Sequence, residues 1–455
     1  MTTTQLLYPF DLGDKRLNAR AARIVQAALD KPGESIPAAA GSRAATDATY
    51  LFLDNPRVQR QAIDAAHQQA TLQHIADTTG PLLIPQDTSP FDFTSPGRAR
   101  TLGQLSHAKH FGFFVHSALA LRSDGLPLGL LHQHLWMRDP QQRGKRRQRR
   151  HKATADKESQ RWIDSEAACL AVLPPQRTVI TVGDREADFY DLFAVVRRPG
   201  QHVLVRARPR RRLADVKELL GVAVRHSPVL GQLTIDVARK GQQAARRATL
   251  TMRAGTFAIQ PPSTHRQRRQ LSPIALQAVW VEEVEAPAGV PPLRWLLLTT
   301  LPISSFADTV QVVRWYCLRW RIERYHYTLK SGCKVEELQL ETAARLQRAL
   351  ALYSMVATRL LYLRYVAEAD GDGDGLQVVS AQEWQVLWHY FHPGQAVPAE
   401  VPRVKQVVWW IARLGGFLAR KGDGAPGVKV LWRGLRQLQA MVIGFRLAQG
   451  VPPSE

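Results

Sequence analysis

The sequence predicts an α/β protein with a helical region at each end of the chain. Two short apolar runs, Leu82–Asp87 and Thr178–Asp184, are typical of strands, and each ends in an aspartate. Stretches with helical periodicity occupy residues 1–72 and 376–455. Because 45% of the 455 residues are hydrophobic, the chain can bury the cores of about two to four domains.

The chain is strongly basic. Lysine and arginine number 61 against 39 aspartates and glutamates, which gives a net charge of +22 and a pI near 10.4. Such an excess indicates a polyanionic partner. Charge alone does not distinguish DNA from RNA or from a membrane surface.

The cysteines and the N-terminus indicate a cytoplasmic protein. Cys169, Cys317 and Cys333 are too few and too irregularly spaced for a disulfide framework or a zinc site, so we expect free thiols. No basic flank followed by an apolar core opens the chain, and no run of about 18 apolar residues occurs. We therefore expect a cytoplasmic protein without a membrane partner.

Residues 1–72 are predicted to form a helical domain. Asp14 is a candidate cap for a helix that carries Arg16 and Arg20, and Thr46–Leu53 begins another helix that stops before Pro56. Arginines at this spacing suit contacts with phosphate. From these residues alone, an ordinary solvated helix explains the segment equally well.

A hairpin and a basic run follow Asp87. Phe113–Leu121 and Leu126–Met137 are apolar strands separated by Ser123-Asp124-Gly125, a turn signal. Arg143–Lys152 is so rich in arginine and lysine that we expect a flexible loop able to touch the DNA backbone.

Residues 215–300 have the character of a β-rich insertion. Alternating strands such as Leu233–Val237 are separated by proline-rich turns and by a basic loop, His265–Arg269. The insertion ends in a strand that contains Trp295, a residue type that in such a strand most often belongs to the core.

The stretch Tyr316–Lys330 contains no proline or glycine and is predicted to be one helix of about four turns. At about 100° per residue, its polar side chains fall within an arc of about 60°, and they are Tyr316, Arg319, Glu323 and Lys330. The apolar stripe opposite consists of Leu318, Ile322, Tyr325 and Leu329. A solvated surface would explain the polar face, but Glu323 together with Asp87 and Asp184 makes an oxygen-ligand set suited to Mg²⁺.

These motifs resemble the DDE transposases of bacterial insertion sequences, specifically the insertion-sequence-four family. The resemblance rests on Gly183–Asp188, GDREAD, and on the spacings of three, four and seven residues that separate the four polar side chains of Tyr316–Lys330. The segments Leu12–Arg16 and Ala48–Phe52 resemble the LGDxR and AxYxF motifs of the family. The resemblance runs from about Leu12 to about Arg364.

The resemblance implies a fold and an activity. It implies an N-terminal DNA-binding domain at 1–72, a ribonuclease-H-like catalytic domain at 73–368 with the β-rich insertion at 215–300, and a C-terminal helical dimerisation domain at 376–455. It also implies cut-and-paste transposition, by nicking of the transposon ends, hairpin formation and resolution, and strand transfer. The partners that it implies are transposon-end duplex with terminal inverted repeats, target DNA, and a second copy in a synaptic complex, and such a protein would be nucleoid-associated.

The resemblance assigns roles to individual residues. Asp87, Asp184 and Glu323 would hold two Mg²⁺ ions, with Mn²⁺ as an expected substitute. The residues implied to contact DNA are Tyr316, Arg319, Lys330, Trp295, Arg206, Arg208, Arg16 and Arg20. Leu51 departs from the family pattern, which has an arginine on the DNA at this position.

Two alternatives remain open at the level of sequence. One is a ribonuclease-H-like DNA nuclease adapted to another task, and the other is a non-catalytic protein that binds transposon ends and represses. The carboxylate triad disfavours the second alternative. Near the C-terminus, Glu368–Gly375 is predicted to be a flexible acidic linker that leads into a helical self-association region.

Overall fold

The computed structural model describes residues 8–94, 101–107, 109–138, 153–237, 244–420 and 422–450. Within them the predicted α/β fold class is confirmed, with helices at both ends and a central mixed sheet. The basic run Arg143–Lys152 lies outside the described residues.

Four helices precede the sheet. They are α1 (Lys15–Asp30), α2 (Ile36–Ala40), α3 (Arg43–Asp54) and α4 (Arg60–Ala76). Asp14 caps α1 as predicted, because its side chain accepts a hydrogen bond of 2.7 Å from the backbone N–H of Arg16. The predicted stop near Pro56 is also confirmed, since Asn55 caps the end of α3.

Ten strands form one sheet in the described part of the chain. They are β1 (Leu82–Asp92), β2 (Gly103–Gln104), β3 (Phe111–Arg122), β4 (Pro127–Trp136), β5 (Val179–Gly183), β6 (Gln201–Arg206), β7 (Val229–Val237), β8 (Arg246–Ile259), β9 (Ile274–Val284) and β10 (Arg294–Thr299). Their order is β2-β3-β1-β5-β6-β10-β9-β8-β7, and β4 pairs with β3. The predicted hairpin is therefore confirmed, and the strands of the insertion extend the central sheet through β10.

Alternating side chains of the strands face two helical layers. Helix α5 (Gln160–Val172) packs on one face and contributes Trp162 and Cys169 to the apolar clusters there. Two shorter helices follow α5 in the chain, α6 (Tyr190–Ala194) and α7 (Leu220–His226). The opposite face, with Ile180 and Leu204, shares its core with α8 (Phe306–Leu318) and α9 (Trp320–Tyr327).

A long buried helix connects the remaining helices. This helix, α10 (Ala343–Ala369), is followed by α11 (Ala381–Phe391), α12 (Val404–Leu414) and α13 (Val428–Ala448). It contacts α1, α3 and α4 as well as α12 and α13. Because one apolar cluster joins these elements, the helices at the two ends of the chain share a core. The division into 1–72, 73–368 and 376–455 stays a prediction.

The acidic segment before α11 is not a flexible linker, so that prediction was wrong. Its backbone is hydrogen-bonded to the segment before α12, with Gly375 N–H donating to Pro402 O at 2.9 Å and Val404 N–H donating to Gly373 O at 2.9 Å. A Cβ at Gly375 would lie 2.3 Å from Pro402 O. Gly375 therefore permits a close approach of the two backbone segments, which the acidic composition did not predict.

The three cysteines are free thiols, as predicted. Among the described helices, none combines the length and the apolar character that crossing a bilayer requires.

His67 provides a test of the shared core. Its ring is buried beneath Tyr8, with Nε2 3.1 Å from Thr358 Oγ1. Burial lowers its pKa from 6.5 to about 3, so the folded protein keeps the ring neutral while the unfolded chain protonates it below about 6.5. The contribution of His67 to the free energy of unfolding is therefore fully present above pH 6.5. It is lost as the pH falls toward 3, at about 1.4 kcal/mol per pH unit.

We expect His67→Gln to reduce the loss of stability between pH 7 and pH 5 by about 2 kcal/mol, measured by urea unfolding at both values. His107→Gln, at an exposed histidine, is the control and should keep the wild-type pH dependence. Equal slopes for wild type and His67→Gln would contradict the assignment.

Candidate active site

The register of three parallel strands aligns the first part of the site. Pro85 pairs with Val182 between β1 and β5, and Gly183 pairs with Val205 between β5 and β6. Continuing this register brings Asp87, Asp184 and Arg206 to one level of the sheet. Residues at one level point to the same face, and neighbouring strands lie about 4.8 Å apart. The two aspartates and the arginine therefore form a row, called here the carboxylate row.

The two aspartates reach this row differently. Asp184 follows β5 directly, and its Oδ1 accepts a hydrogen bond of 2.7 Å from the N–H of Glu186. Asp87 was predicted to end its strand, but β1 continues to Asp92. What ends at Gln86 is the uninterrupted buried run of the strand, and the Asp87 side chain is 22% exposed, although Phe91 is buried again. The change from apolar to polar residues marked the end of that run rather than the end of pairing.

The predicted single helix Tyr316–Lys330 is wrong at both ends. The helical path begins at Phe306, where Ser305 and Asp308 form a capping box. It is interrupted at Arg319, continues as α9, and then widens into a π-helical turn at Thr328–Gly332. Because a π-turn has more residues per turn than an α-helix, the sequence periodicity does not carry the polar row through to Lys330.

The polar face of this helix points to the sheet rather than to solvent. Tyr316 and Arg319 are only 4% and 7% exposed, and Arg319 Nη2 donates to Glu323 Oε1 at 2.7 Å. Burial works against the Arg319 cation, but Tyr316 and Glu323 together raise its pKa above the ordinary value. The predicted apolar stripe is confirmed for Ile322, Tyr325 and Leu329, which are fully buried.

One contact places the helix over the carboxylate row, and one electrostatic effect agrees with it. His326 Nδ1 lies 3.5 Å from Asp87 Oδ2. Burial raises the pKa of Tyr316, opposed by Arg319, and the charge of Asp184 raises it further. Glu323 lies two turns after Tyr316 and one turn before His326, on the helical face that they share. Glu323 therefore lies one helical turn from the side chain that approaches Asp87.

The donor set fits a divalent cation. All three side chains offer carboxylate oxygens, the ligands that Mg²⁺ prefers. Burial raises the pKa of neighbouring Glu186, Arg161 lowers it, and the charges of Asp184 and Asp87 raise it again, so negative charge accumulates here. Within the described residues, no group of three or more His, Cys, Asp and Glu side chains is placed to hold an ion, and the Glu323 carboxylate is paired with Arg319.

Three side chains, Arg206, Trp295 and Tyr316, lie at the β6 end of the carboxylate row. Leu297 of β10 pairs with Arg206, so half-buried Trp295, two residues earlier, lies on the same face. The charge of Arg206 also lowers the pKa of Tyr316, against the effect of burial. Arg206, Trp295 and Tyr316 thus surround one end of the row, while Arg208 is exposed beside it.

Lys330, Arg16 and Arg20 lie away from the row. The Lys330 ammonium donates to Pro90 O and lies 3.3 Å from Glu336 Oε1, about 10 Å along β1 from Asp87 by strand geometry. Arg16 and Arg20 are on α1, which packs on α2, α3, α10 and α13. Leu51 is 72% exposed on α3.

Two residues at the site were missed by the sequence analysis. Arg161 of α5 donates from Nη2 to Glu186 at 2.7 Å and from Nε to Thr88 Oγ1 at 2.9 Å. Nothing in the local sequence distinguishes it from other surface arginines. His326 did carry a signal, because a residue three positions after Glu323 shares its helical face.

Three family models match the chain, and together they reach from its N-terminal helices to α13. Transposase DNA-binding matches residues 3–58, Transposase DDE domain matches 141–359, and Transposase Tn5 dimerisation domain matches 355–453. The chain belongs to the Tn5-like DDE transposases. This transposase is accordingly an enzyme that cleaves and transfers DNA, with DNA and a second copy as partners, in a family that uses divalent metal ions.

Gly183 tests the packing beneath Asp184. A Cβ at this position would lie 2.4 Å from Ala187 Cβ and 3.2 Å from Trp162 Cζ3. We expect Gly183→Ala to destabilise the transposase by about 1–3 kcal/mol, as overpacking does, measured as a lower thermal unfolding midpoint. Gly444→Ala, in α13 with nothing within 4 Å, should be neutral or stabilising. A wild-type midpoint for Gly183→Ala would refute the close contact.

Proposed function

We propose that this transposase performs cut-and-paste transposition of an insertion sequence, with Asp87, Asp184 and Glu323 as its catalytic carboxylates. The observation that carries the proposal is the register of β1 and β5, which sets two aspartates side by side beneath the helix that bears Glu323. The carboxylates would hold two Mg²⁺ ions, which supply activation of the attacking oxygen and stabilisation of the leaving oxygen.

Four phosphoryl exchanges follow at one site. Water attacks the phosphorus at the transposon end, the bond to the 3′-oxygen breaks, and a 3′-hydroxyl is released. That hydroxyl attacks the opposite strand, forms a hairpin and frees the flanking DNA. Water then reopens the hairpin, and the same 3′-hydroxyl finally attacks target DNA. Each step exchanges one phosphodiester oxygen for another or for water, so no nucleotide is consumed.

The surrounding side chains would hold and orient the DNA. Arg319 holds the Glu323 carboxylate by a hydrogen bond and, on DNA binding, could turn to a phosphate. Arg206 and Tyr316 flank the same end of the row, where a distorted transposon end would lie. Lys330, beyond the row, is suited to a phosphate farther along the strand, and Arg16 and Arg20 on α1 to backbone contacts in the terminal repeat.

Glu323→Gln tests the catalytic assignment. We expect it to bind transposon-end duplex like the wild type and to lose Mg²⁺-dependent nicking by at least about 10³-fold, because the amide keeps the hydrogen bond to Arg319 but is a poor metal ligand. The assay uses a labelled duplex that carries the repeat flanking the gene, with Mg²⁺ or EDTA, on a denaturing gel.

Glu337→Gln is the matched control, since this exposed carboxylate pairs with Lys334 at 3.2 Å, and it should nick normally. Nicking retained by Glu323→Gln would overturn the assignment. A wild type that binds the duplex but never cuts it would favour the repressor, and one that nicks without joining a 3′-end to plasmid would favour the adapted nuclease.

Trp295→Ala tests the role of the indole beside Arg206. If a base flipped out of the transposon end stacks on it, loss of about 1–3 kcal/mol of stacking should slow hairpin formation by about 5- to 150-fold and affect the first nick less. Trp409→Ala is the control, because this half-buried tryptophan contacts Phe417 in the C-terminal region. Equal slowing of both steps by Trp295→Ala would remove the stacking role.

A further inference from the structure

Five exposed arginines beyond the carboxylate row have no acidic partner among the residues that the structure describes. They are Arg210, Arg212, Arg266, Arg268 and Arg269. No carboxylate of the described residues lies within ion-pairing distance of any of them, although Arg211, between the first two, is paired with Asp188. In a folded protein such a group is a strong attractor for phosphate.

The two segments that carry these arginines meet at the end of β8. The backbone N–H of Gln260 donates to Arg212 O at 3.0 Å, and Ala214 N–H donates to Ala258 O at 2.9 Å. The loop 261–273 leaves the sheet directly after Gln260 and bears the other three arginines. The five cations are therefore carried by two segments that meet at the end of β8, and together they are called here the arginine surface.

The loop 261–273 is bound to α6 through two neighbouring side chains, Asp191 and Tyr190. Asp191 Oδ1 lies 2.9 Å from His265 Nε2, and its Oδ2 accepts from the Thr154 hydroxyl. The adjacent Tyr190 donates from its hydroxyl to Ser272 O at 2.5 Å. The loop is thus held near both of its ends, one residue before Arg266 and three residues after Arg269.

We propose that the arginine surface binds the phosphate backbone of the transposon-end duplex and that Asp191 is a positioning residue which holds the loop in place for it. The occupant follows from charge and from location. Arg208, implied to contact the end, lies between Arg206 of the carboxylate row and Arg210, so a duplex held at the row continues onto this surface. Backbone contacts of this kind are independent of sequence.

The proposal rests on the proposed function, and the test separates the two. Binding of the full-length protein is measured without divalent metal on the repeat duplex and on a duplex of unrelated sequence, over a series of salt concentrations. A wild type that does not bind DNA would contradict the proposed function itself. A wild type that binds makes the variants informative.

The first variant combines Arg266→Gln, Arg268→Gln and Arg269→Gln. Each lost phosphate contact lowers the slope of log affinity against log salt by about 0.9, so we expect a decrease of up to about 2.7 on both duplexes. The control combines Lys405→Gln, Lys429→Gln and Arg433→Gln, three exposed cations with no ion pair among the described residues. It removes the same charge and should keep the wild-type slope.

Asp191→Ala separates positioning from charge. The arginines remain, so the salt slope should stay at the wild-type value while affinity falls several-fold, and Asp191→Asn should restore part of the affinity. Trypsin should cut after Arg266, Arg268 and Arg269 faster in Asp191→Ala than in the wild type, and duplex should protect these sites in the wild type.

An unchanged salt slope in the triple arginine variant would overturn the arginine surface. Wild-type affinity and trypsin resistance in Asp191→Ala would overturn the role of Asp191 alone.

Discussion

The parallel register of β1, β5 and β6 is the constraint on which the rest of the site depends. Because β1 and β5 are hydrogen-bonded in register, Asp87 and Asp184 are neighbours although 97 positions of sequence numbering separate them. A slip of one residue would turn either aspartate to the opposite face, toward Trp162 and α5. The insertion strands pair onward from β6 through β10, so the sheet also places Trp295 beside the row.

The helix over the carboxylate row supplies a cation, Arg319, to the carboxylate that it carries. Two aspartates at adjacent positions repel each other and favour any cation that approaches. In this structure the cation beside Glu323 is Arg319, which donates a hydrogen bond of 2.7 Å to the carboxylate and is buried against Tyr316. In the proposed function, a metal ion bound by Glu323 would compete with this pair, and a DNA phosphate could then receive the guanidinium. Substrate and ion would then enter the site together.

The sequence predicted local structure better than it predicted how the helices pack against the sheet. The hairpin, the Asp14 cap and the buried stripe of Ile322, Tyr325 and Leu329 follow from local patterns, and all three are found. The start of α8 at Phe306, the π-turn at Thr328–Gly332 and the burial of Tyr316 depend on packing against the sheet, which no local pattern records. Arg161 reaches the site across 25 residues of sequence to Glu186, and only the register of distant strands makes that contact predictable.

The distribution of charge also distinguishes structure from function. Many arginines of this chain are paired with its own carboxylates, as when Arg197 is buried against Glu166 at 2.8 Å or the partly exposed Arg345 holds Asp54 at 2.8 Å. The carboxylate offsets the charge of a paired arginine, which therefore attracts a phosphate less strongly. The excess of +22 must therefore be carried by side chains without such partners, and the arginine surface beside the carboxylate row is a concentration of them. Net charge indicated a polyanion, and the pairing of individual arginines indicates where on the molecule it would bind.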